Sequence, residues 1–343
     1  MKKLTALFLT ACLLLALSAC GTAGKTAESG YPFQTVTMIV PYGAGGTTDL
    51  VGRQLAAALG KAMGVTFVVE NQPGASGSIG CRTVLDAPKD GSVVLFCADS
   101  LGTQRVMGIS EMSYADFSPI CAVANDPKVI VVAKDSPYNS IEELLDDIKA
   151  KPNTIQMAYT GPGGSGHVQA LIMNRFGYYP ALTAYSSGSD GIVAVMGGQV
   201  VFTNANYSTV AGYIAAGELK LLTVCAAERM AQYPDVPALI EYLEGSEDLL
   251  SIPYTPLSLL VAEGVPEDVQ AMLRAGCEKA FRDHDFVAFM ESNSIDKLYE
   301  KYVTVDEIRA FYAEWESVVC WLMADAGATA YSPEDFGIPR PAA

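Results

Sequence analysis

The sequence predicts an α/β protein of two lobes, each a doubly wound sheet, with a ligand cleft between them. Three observations carry this expectation. Short β-branched or apolar runs alternate with amphipathic helical stretches along the chain, the pattern of strands joined by crossover helices. The loops after the strands are rich in glycine and hydroxyl residues, and they fall into two groups. A chain of 343 residues, 50% of them hydrophobic, is long enough for two buried cores.

At the start of the chain, Lys2 and Lys3 precede an apolar run, Leu4 to Leu17. The run is too short to span a bilayer, which needs about 20 apolar residues, so residues 1–19 are predicted to be a signal peptide. It closes on Leu17-Ser18-Ala19-Cys20, which resembles the lipobox of bacterial lipoproteins and implies cleavage before Cys20 and lipidation of its thiol. Residues 20–31, rich in Gly, Thr and Ser, are expected to be a flexible tether. The expected location is extracytoplasmic, with the membrane touched through the lipid anchor only.

The first folded unit reads as a strand, Thr35 to Val40, a turn over residues 41–46, and a helix with Val51, Leu55, Ala58, Leu59 and Ala62 on one face. Val65 to Val69 is the next strand, and the helical crossover makes the pair parallel. Strands follow at Val93 to Cys97 and Val129 to Ala133, then a helix opened by a capping box, Ser140 to Glu143. Beyond Pro152 the same order returns: a strand at Thr154 to Tyr159, a glycine-rich loop, and a helix with Val168, Leu171, Ile172 and Phe176 on one face. Ala181 to Tyr185, Val200 to Thr203, Leu219 to Val224 and Leu257 to Ala262 are further strands. Pro266 is expected at the first helical position, and Thr304 to Glu307 caps a long C-terminal helix. Residues 32–128 plus 252–343 are assigned to lobe 1 and residues 129–251 to lobe 2, with crossings near Asn125 to Val131 and near Ser251 to Leu257.

The formal charge of −16 and the absence of any basic run beyond the signal region exclude nucleic acid as a partner. An anion must then be held by local dipoles, meaning backbone N–H groups, hydroxyls and helix N-termini. Cys81, Cys97, Cys121, Cys225, Cys277 and Cys320 form no CxxC pair and have no histidine at ligand spacing, so no metal and no cofactor is expected. Most of these thiols are expected to be free and buried.

Two loops stand out. Tyr42-Gly43-Ala44-Gly45-Gly46-Thr47-Thr48-Asp49 brings backbone N–H groups and a helix N-terminus together, as an anion site requires. Gly161 to Gly166 matches G-x-G-x-x-G, but Pro162 sits inside it and no acidic residue closes a following strand, so a hydroxyl-lined pocket loop with Thr160 and Ser165 as donors fits better than a dinucleotide site. Ser165, His167 and Asp190 invite a hydrolase reading. The chain has no G-x-S-x-G elbow, and His167 is expected to pack at the helix start or line the cleft, so no catalytic residue is assigned. Ser186 to Asp190 is a further polar loop that could add donors or be a solvated turn.

These loops resemble those of the extracytoplasmic receptors of tripartite tricarboxylate transporters, the Bug or TctC-like family. Val40 to Asp49 matches V-P-[FY]-x-x-G-G-x-x-D, and Glu70 to Gly80 matches E-N-[RK]-P-G-A-x-G-x-I-G with Gln72 in the basic position. Asp90-Gly91, Gly161 to His167, Met196 to Val200 and Pro234 to Pro237 continue the order. The resemblance implies a type II periplasmic-binding fold, no enzymatic activity, a small carboxylate ligand (a tricarboxylate, dicarboxylate, acidic amino acid or aromatic acid) and integral membrane transporter subunits as partners. By the same resemblance Tyr42, Gly43, Gly45, Gly46 and Asp49, with Ser100 nearby, would meet the ligand from lobe 1. Thr160, Gly161 and Ser165 would meet it from lobe 2, with Tyr185 and Ser187 behind. A sensor subunit or a cleft enzyme on the same fold is the alternative. Ser186 stands where a basic residue is usual, and Val201 where the family has Asp, so the ligand is expected to be less anionic than citrate.

Overall fold

The structure, a computed structural model, describes residues 30–341. The expected signal peptide, Cys20 and nearly all of the tether lie outside the described residues. Two sheets organise the rest. The first contains β1 (Thr35–Val40), β2 (Thr66–Asn71), β3 (Val93–Cys97), β4 (Phe117–Asn125), β10 (Pro256–Ala262) and β11 (Asp296–Lys297), in the order β11-β4-β10-β3-β1-β2. The second contains β5 (Lys128–Ala133), β6 (Gln156–Tyr159), β7 (Ala181–Ala184), β8 (Phe202–Asn206) and β9 (Leu219–Val224), in the order β7-β6-β8-β5-β9.

Helices cover both faces of each sheet, because alternate residues of buried strands point to opposite sides. In the first sheet Met38 and Val40 pack with Val51, Leu55 and Leu59 of α1 (Thr47–Met63), while Ile39 packs with Cys81 and Val84 of α2 (Ser78–Asp86). Gly52 lets α1 settle onto the sheet: a Cβ there would lie 2.9 Å from the Phe96 ring. In the second sheet Ile130 and Val132 face α3 (Ile141–Ala150) and α4 (Ser165–Arg175). Val129 and Val131 face α5 (Gly188–Met196) and α6 (Tyr207–Ala215).

The chain passes from the first sheet to the second through Asp126 and Pro127, and returns between β9 and β10. Neither sheet is wholly parallel. β10 runs antiparallel to β3 and β4, and β5 runs antiparallel to β8 and β9. After β10 come α7 (Glu267–Ala280), α8 (His284–Ser292) and the long α9 (Val305–Asp325). Helix α9 reaches across: Trp315 and Val319 share a core with Val168 and Leu171 of α4, and Trp315 Nε1 donates to Pro253 O at 2.8 Å.

Several local expectations need revision. Strand β4 carries no clear sequence signal, because all but its last residue is buried and Pro119 interrupts it at a register shift against β10. Pro266 is the N-cap residue of α7, one position earlier than expected. Ser140 does cap α3, but the Glu143 carboxylate turns to the Asn139 amide at 2.7 Å, so the reciprocal box is incomplete. The polar stretch 186–190 is no free turn: Ser187 is the N-cap of α5 and accepts from Asp190 N at 3.1 Å. At Thr304 the capping box forms as predicted.

Candidate functional site

Because β1, β2 and β3 are parallel, their C-terminal ends lie along one edge, and the loops after Val40, Asn71 and Cys97 share one wall. Strands β6, β7 and β8 do the same for the facing wall, with loops after Tyr159 and Ala184 and the polar end of β8 itself. Between the walls is a cavity of about 400 Å3, a volume suited to a small metabolite. The walls touch at its rim, where Ser76 Oγ donates to Pro162 O at 2.9 Å and Thr103 Oγ1 to Gly163 O at 2.8 Å.

From the first wall the cavity is lined by Tyr42, Gly43, Gly46, Thr47 and Ser100, and from the second by Thr160, Gly161, Ser165, Tyr185 and Ser187. Sequence reading named all ten. It also named Ala44, Gly45 and Asp49, which are not among the lining residues. Asp49 works inside the loop. Its carboxylate accepts from Gly45 N and Asn71 Nδ2, each at 2.9 Å, and pairs with Arg53 at 2.8 Å. Burial acts to raise its pKa, but these three partners outweigh that and hold it below the usual range. Asp49 therefore ties the glycine loop to the end of β2.

Several hydroxyl protons of the cavity are already engaged. Ser100 donates to Ser76 O at 2.9 Å, so Tyr42 must be the donor in its 2.6 Å bond to Ser100 Oγ. Thr47 donates to Asp126, and Thr209 to Asn206 O at 2.6 Å. Asp126, fully buried between the sheets, also accepts from Ser208 Oγ and, at 3.3 Å, from Ser208 N in the first turn of α6. Burial pushes its pKa up to about 6 against these bonds.

Three polar groups that the sequence reading passed over lie in the same cavity: Asp99, Lys128 and Asn204, each 4–5% exposed. Asp99 takes the Ser165 amide, which places a carboxylate of the chain itself at the N-terminus of α4. Its Oδ2 has no hydrogen-bond partner. Burial raises the Asp99 pKa to about 6, with Lys128 acting to lower it. Lys128 donates to Asn204 O at 3.4 Å, and burial lowers its pKa while Asp99 and Asp126 act to raise it. Asn204 turns its Nδ2 to Cys225 Sγ at 3.9 Å and leaves Oδ1 unpartnered. Asp99 could have been found as the first polar residue after an apolar strand, where α/β sites gather. Lys128 sits at the start of a strand, and only the antiparallel course of β5 brings that end to the cleft.

Helix N-termini set the remaining electrostatics. Asp99 satisfies that of α4, Asp126 that of α6 and Ser187 that of α5. Helices α1 and α2 begin at Gly46 and Gly77 with no side-chain cap, and both glycines line the cavity, but α2 runs on from a short 3-10 turn in which Gly77 N donates to Gly74 O and Ser78 N to Ala75 O. The first N–H groups of α1 are donors for a ligand anion. The hydrolase constellation does not assemble: His167 Nδ1 accepts from Gly163 N at 3.2 Å, and the Asp190 carboxylate accepts from Ser186 Oγ at 2.8 Å. Among the described residues no cluster suited to a metal ion is present.

Two α/β lobes with a cavity between them at the C-terminal ends of their parallel strands have the architecture of a solute-binding receptor. Comparison with known proteins narrows the class. The chain belongs to the tripartite tricarboxylate transporter family of receptors, whose description matches residues 51–310. It is 25% identical to Protein BugT of Bordetella pertussis over 312 residues, covering 88% of this chain and 94% of that protein. Among solved structures it is similar to the periplasmic binding protein BugD, with a TM-score of 0.80 and 26% identity over 87% of this chain and 99% of BugD. R. palustris Rpa4515 with adipate shares the fold, with a TM-score of 0.75 and 22% identity over 87% and 99% of the two chains. No described helix is long and apolar enough to cross a membrane.

Proposed function

We propose that the chain is an extracytoplasmic receptor that captures a small carboxylate and delivers it to the membrane subunits of a tripartite transporter, held at the membrane by a lipid on Cys20. The observation that carries the ligand class is the uncapped N-terminus of α1 at Gly46, on the cavity wall of a family receptor. A carboxylate there accepts N–H bonds and faces the positive end of the helix dipole. Tyr42, Gly43, Gly46, Thr47 and Ser100 form the lobe 1 side of this site, and Thr160, Gly161, Ser165, Tyr185 and Ser187 the lobe 2 side. Residues 32–128 plus 252–343 and residues 129–251 act as the two jaws, hinged where the chain passes between sheets.

A panel of mono-, di- and tricarboxylates, screened by thermal shift on the purified chain, tests the reading. Binding to the folded state raises the melting point with ligand concentration. At least one acid is expected to raise it and to be recovered unchanged. A panel in which no carboxylate shifts the melting point, or in which the ligand is turned over, refutes the proposal.

A further inference from the structure

A second cavity, of about 540 Å3, lies on the first lobe between the start of β4, the end of β10 and α9, and no residue lines both it and the cleft. Its walls are apolar and aromatic: Phe117, Leu260 and the rings of Tyr114 and Tyr312, which stack with centroids 3.8 Å apart. Most polar groups on these walls are engaged. The Tyr114 hydroxyl donates to Ala98 O at 3.2 Å, the Tyr312 hydroxyl bonds Ser258 Oγ, and Glu263 accepts from Ser118 Oγ at 2.5 Å. Glu316 of α9 differs, because its Oε1 is buried with no hydrogen-bond partner. Burial pushes its pKa up to about 7, with Arg105, whose guanidinium lies over the Phe336 ring, acting to lower it.

A buried carboxyl oxygen without a donor is destabilised, so a ligand that brings a donor is favoured there. The charges set the donor's sign. Glu263 and Glu316 face one guanidinium on the lining, Arg309, which stands 4.0 Å from Glu263 at the exposed mouth. Aromatic rings on the wall add attraction for a cation. The cavity also backs the wall of the cleft. Tyr114, Trp315 and Glu316 pack on Gly102, where a Cβ would lie 2.9 Å from Trp315 Cζ3 and 3.1 Å from both Glu316 Cγ and Tyr114 Cε2. Ala98, Asp99 and Ser100, from the same stretch of chain, line the cleft on the other side.

We propose that this cavity is a second binding site, for a small organic ammonium with an apolar body, and that its occupant acts on the cleft through the turn Asp99–Thr103. The ammonium donates to Glu316 Oε1, and the body lies along Tyr312, Phe117 and Leu260. A cation that draws Glu316 toward it alters the packing on Gly102, two residues from Ser100 of the cleft wall. By linkage, cation and cleft ligand then change each other's affinity by the same factor. This effector role rests on the carboxylate-receptor reading, whereas the second site itself does not.

The test is a ligand-observed NMR titration of the full chain with benzylammonium as probe and benzyl alcohol as its neutral isostere. Benzylammonium is expected to bind, and benzyl alcohol to bind roughly tenfold more weakly, the worth of a charge-assisted hydrogen bond. Glu316→Gln keeps the shape and removes the charge, so it should abolish that preference. Ala313→Trp adds bulk at an exposed position of the mouth and should block both probes. No binding of benzylammonium, equal binding of the two probes, an unchanged preference in Glu316→Gln, or full binding in Ala313→Trp overturns the site. Should Glu316→Gln fail to fold, the probe pair and Ala313→Trp decide. For the effector role, a carboxylate that raises the melting point is titrated with and without saturating benzylammonium. A severalfold change in its affinity, lost in Ala313→Trp, is expected, and an unchanged affinity overturns the coupling. If no carboxylate binds under either condition, the receptor reading fails and takes the effector role with it, while the probe titration still decides the second site.

Discussion

Single buried residues make the stability of the protein depend on pH in an unusual direction. Burial pushes Asp99 and Asp126 from an ordinary 3.8 to about 6, and Glu316 from 4.5 to about 7. Between those limits the folded chain holds protons that the unfolded chain has released, so folding is favoured by acid and loses stability as pH rises through the window. His167 opposes this: burial depresses its pKa, the unfolded chain takes up a proton below 6.5 that the folded chain resists, and stability falls on that account as pH drops. Three carboxyls against one imidazole leave a net gain on acidification. Carboxylates held low by exposed partners, such as Glu241 beside Arg229, begin to cost stability only below about pH 4.5. Calorimetric melting of the ligand-free protein should therefore give a midpoint roughly 5 °C higher near pH 5 than near pH 7.5, with Asp99→Asn removing part of the rise. A midpoint that climbs steadily with pH over that range contradicts the buried-carboxyl account. The thiols permit a second check. All six described cysteines are free and buried, and burial lifts the thiol pKa of Cys81 and Cys225 to about 12. None of the six should react with iodoacetamide in the folded protein, and all should react in denaturant.

At the scale of elements, the cleft is a set of helix starts, and their caps decide where an anion goes. Gly46 has an ordinary extended backbone (φ −77°), and a Cβ there would find Gly43 O at a comfortable 3.6 Å. Gly46→Asp should therefore fold and place a carboxylate on the first N–H groups of α1. Gly and Asp differ by only a few tenths of a kcal/mol as N-caps, so the melting point should hold or rise slightly. Affinity for the carboxylate ligand should drop roughly tenfold or more, since ligand and side chain compete for the same donors. Full affinity in this variant would falsify the α1 site. Much of this arrangement was legible in the sequence. Strands β1, β2, β3, β5, β9 and β10 are apolar or β-branched runs bounded by turn residues, and seven of the cavity residues follow from the two glycine loops, with Ser100, Tyr185 and Ser187 added by the family resemblance. Strand β4 was not legible, since burial on both faces removes any alternation and Pro119 argues against a strand. Helix α5 was hidden because Ser186 to Gly191 has the composition of a turn, and only the Ser187 cap converts it into a helix start. The engaged state of the hydroxyls and of Asp49 was out of reach, because it depends on partners such as Ser76 and Asn71 whose approach follows from tertiary packing.

At the scale of the molecule, two predictions concern attachment and closure. If Cys20 is the lipid anchor, Cys20→Ser should move the protein from the membrane fraction to the soluble one without changing ligand affinity, as read by fractionation of the producing cells. Closure is the more demanding test: neither lobe alone surrounds the cavity, so a hinged clamp expects an open form in which the contacts between the walls are parted and a bound form in which they are made. The walls already approach so closely at one point that a methyl group decides the matter. A Cβ on Gly43 would lie 2.9 Å from Ser187 Cβ across the cleft, nearer than two such carbons approach, and neither backbone can retreat without parting the lobes. Gly43→Ala should leave each lobe folded, since no positive φ is required there and the remaining contacts, Ser187 Oγ at 3.6 Å and Ser186 O at 3.7 Å, are ordinary. It should destabilise the closed state by about 1–3 kcal/mol, as overpacking does, and so weaken ligand binding roughly tenfold. Scattering should show a larger radius of gyration for the variant than for the parent at a ligand concentration that saturates the parent. The clash can then be removed from the other side. Ser187→Gly deletes the opposing Cβ and still leaves an acceptable N-cap for α5, so the double variant Gly43→Ala with Ser187→Gly should regain most of the lost affinity and the smaller radius. Ser187→Gly alone sets the reference, because Ser187 itself lines the site: recovery of the double variant to that level identifies steric obstruction of closure as the cause, and affinity well below it with the obstruction gone assigns Gly43 to direct ligand contact within one lobe and removes the ground for the clamp.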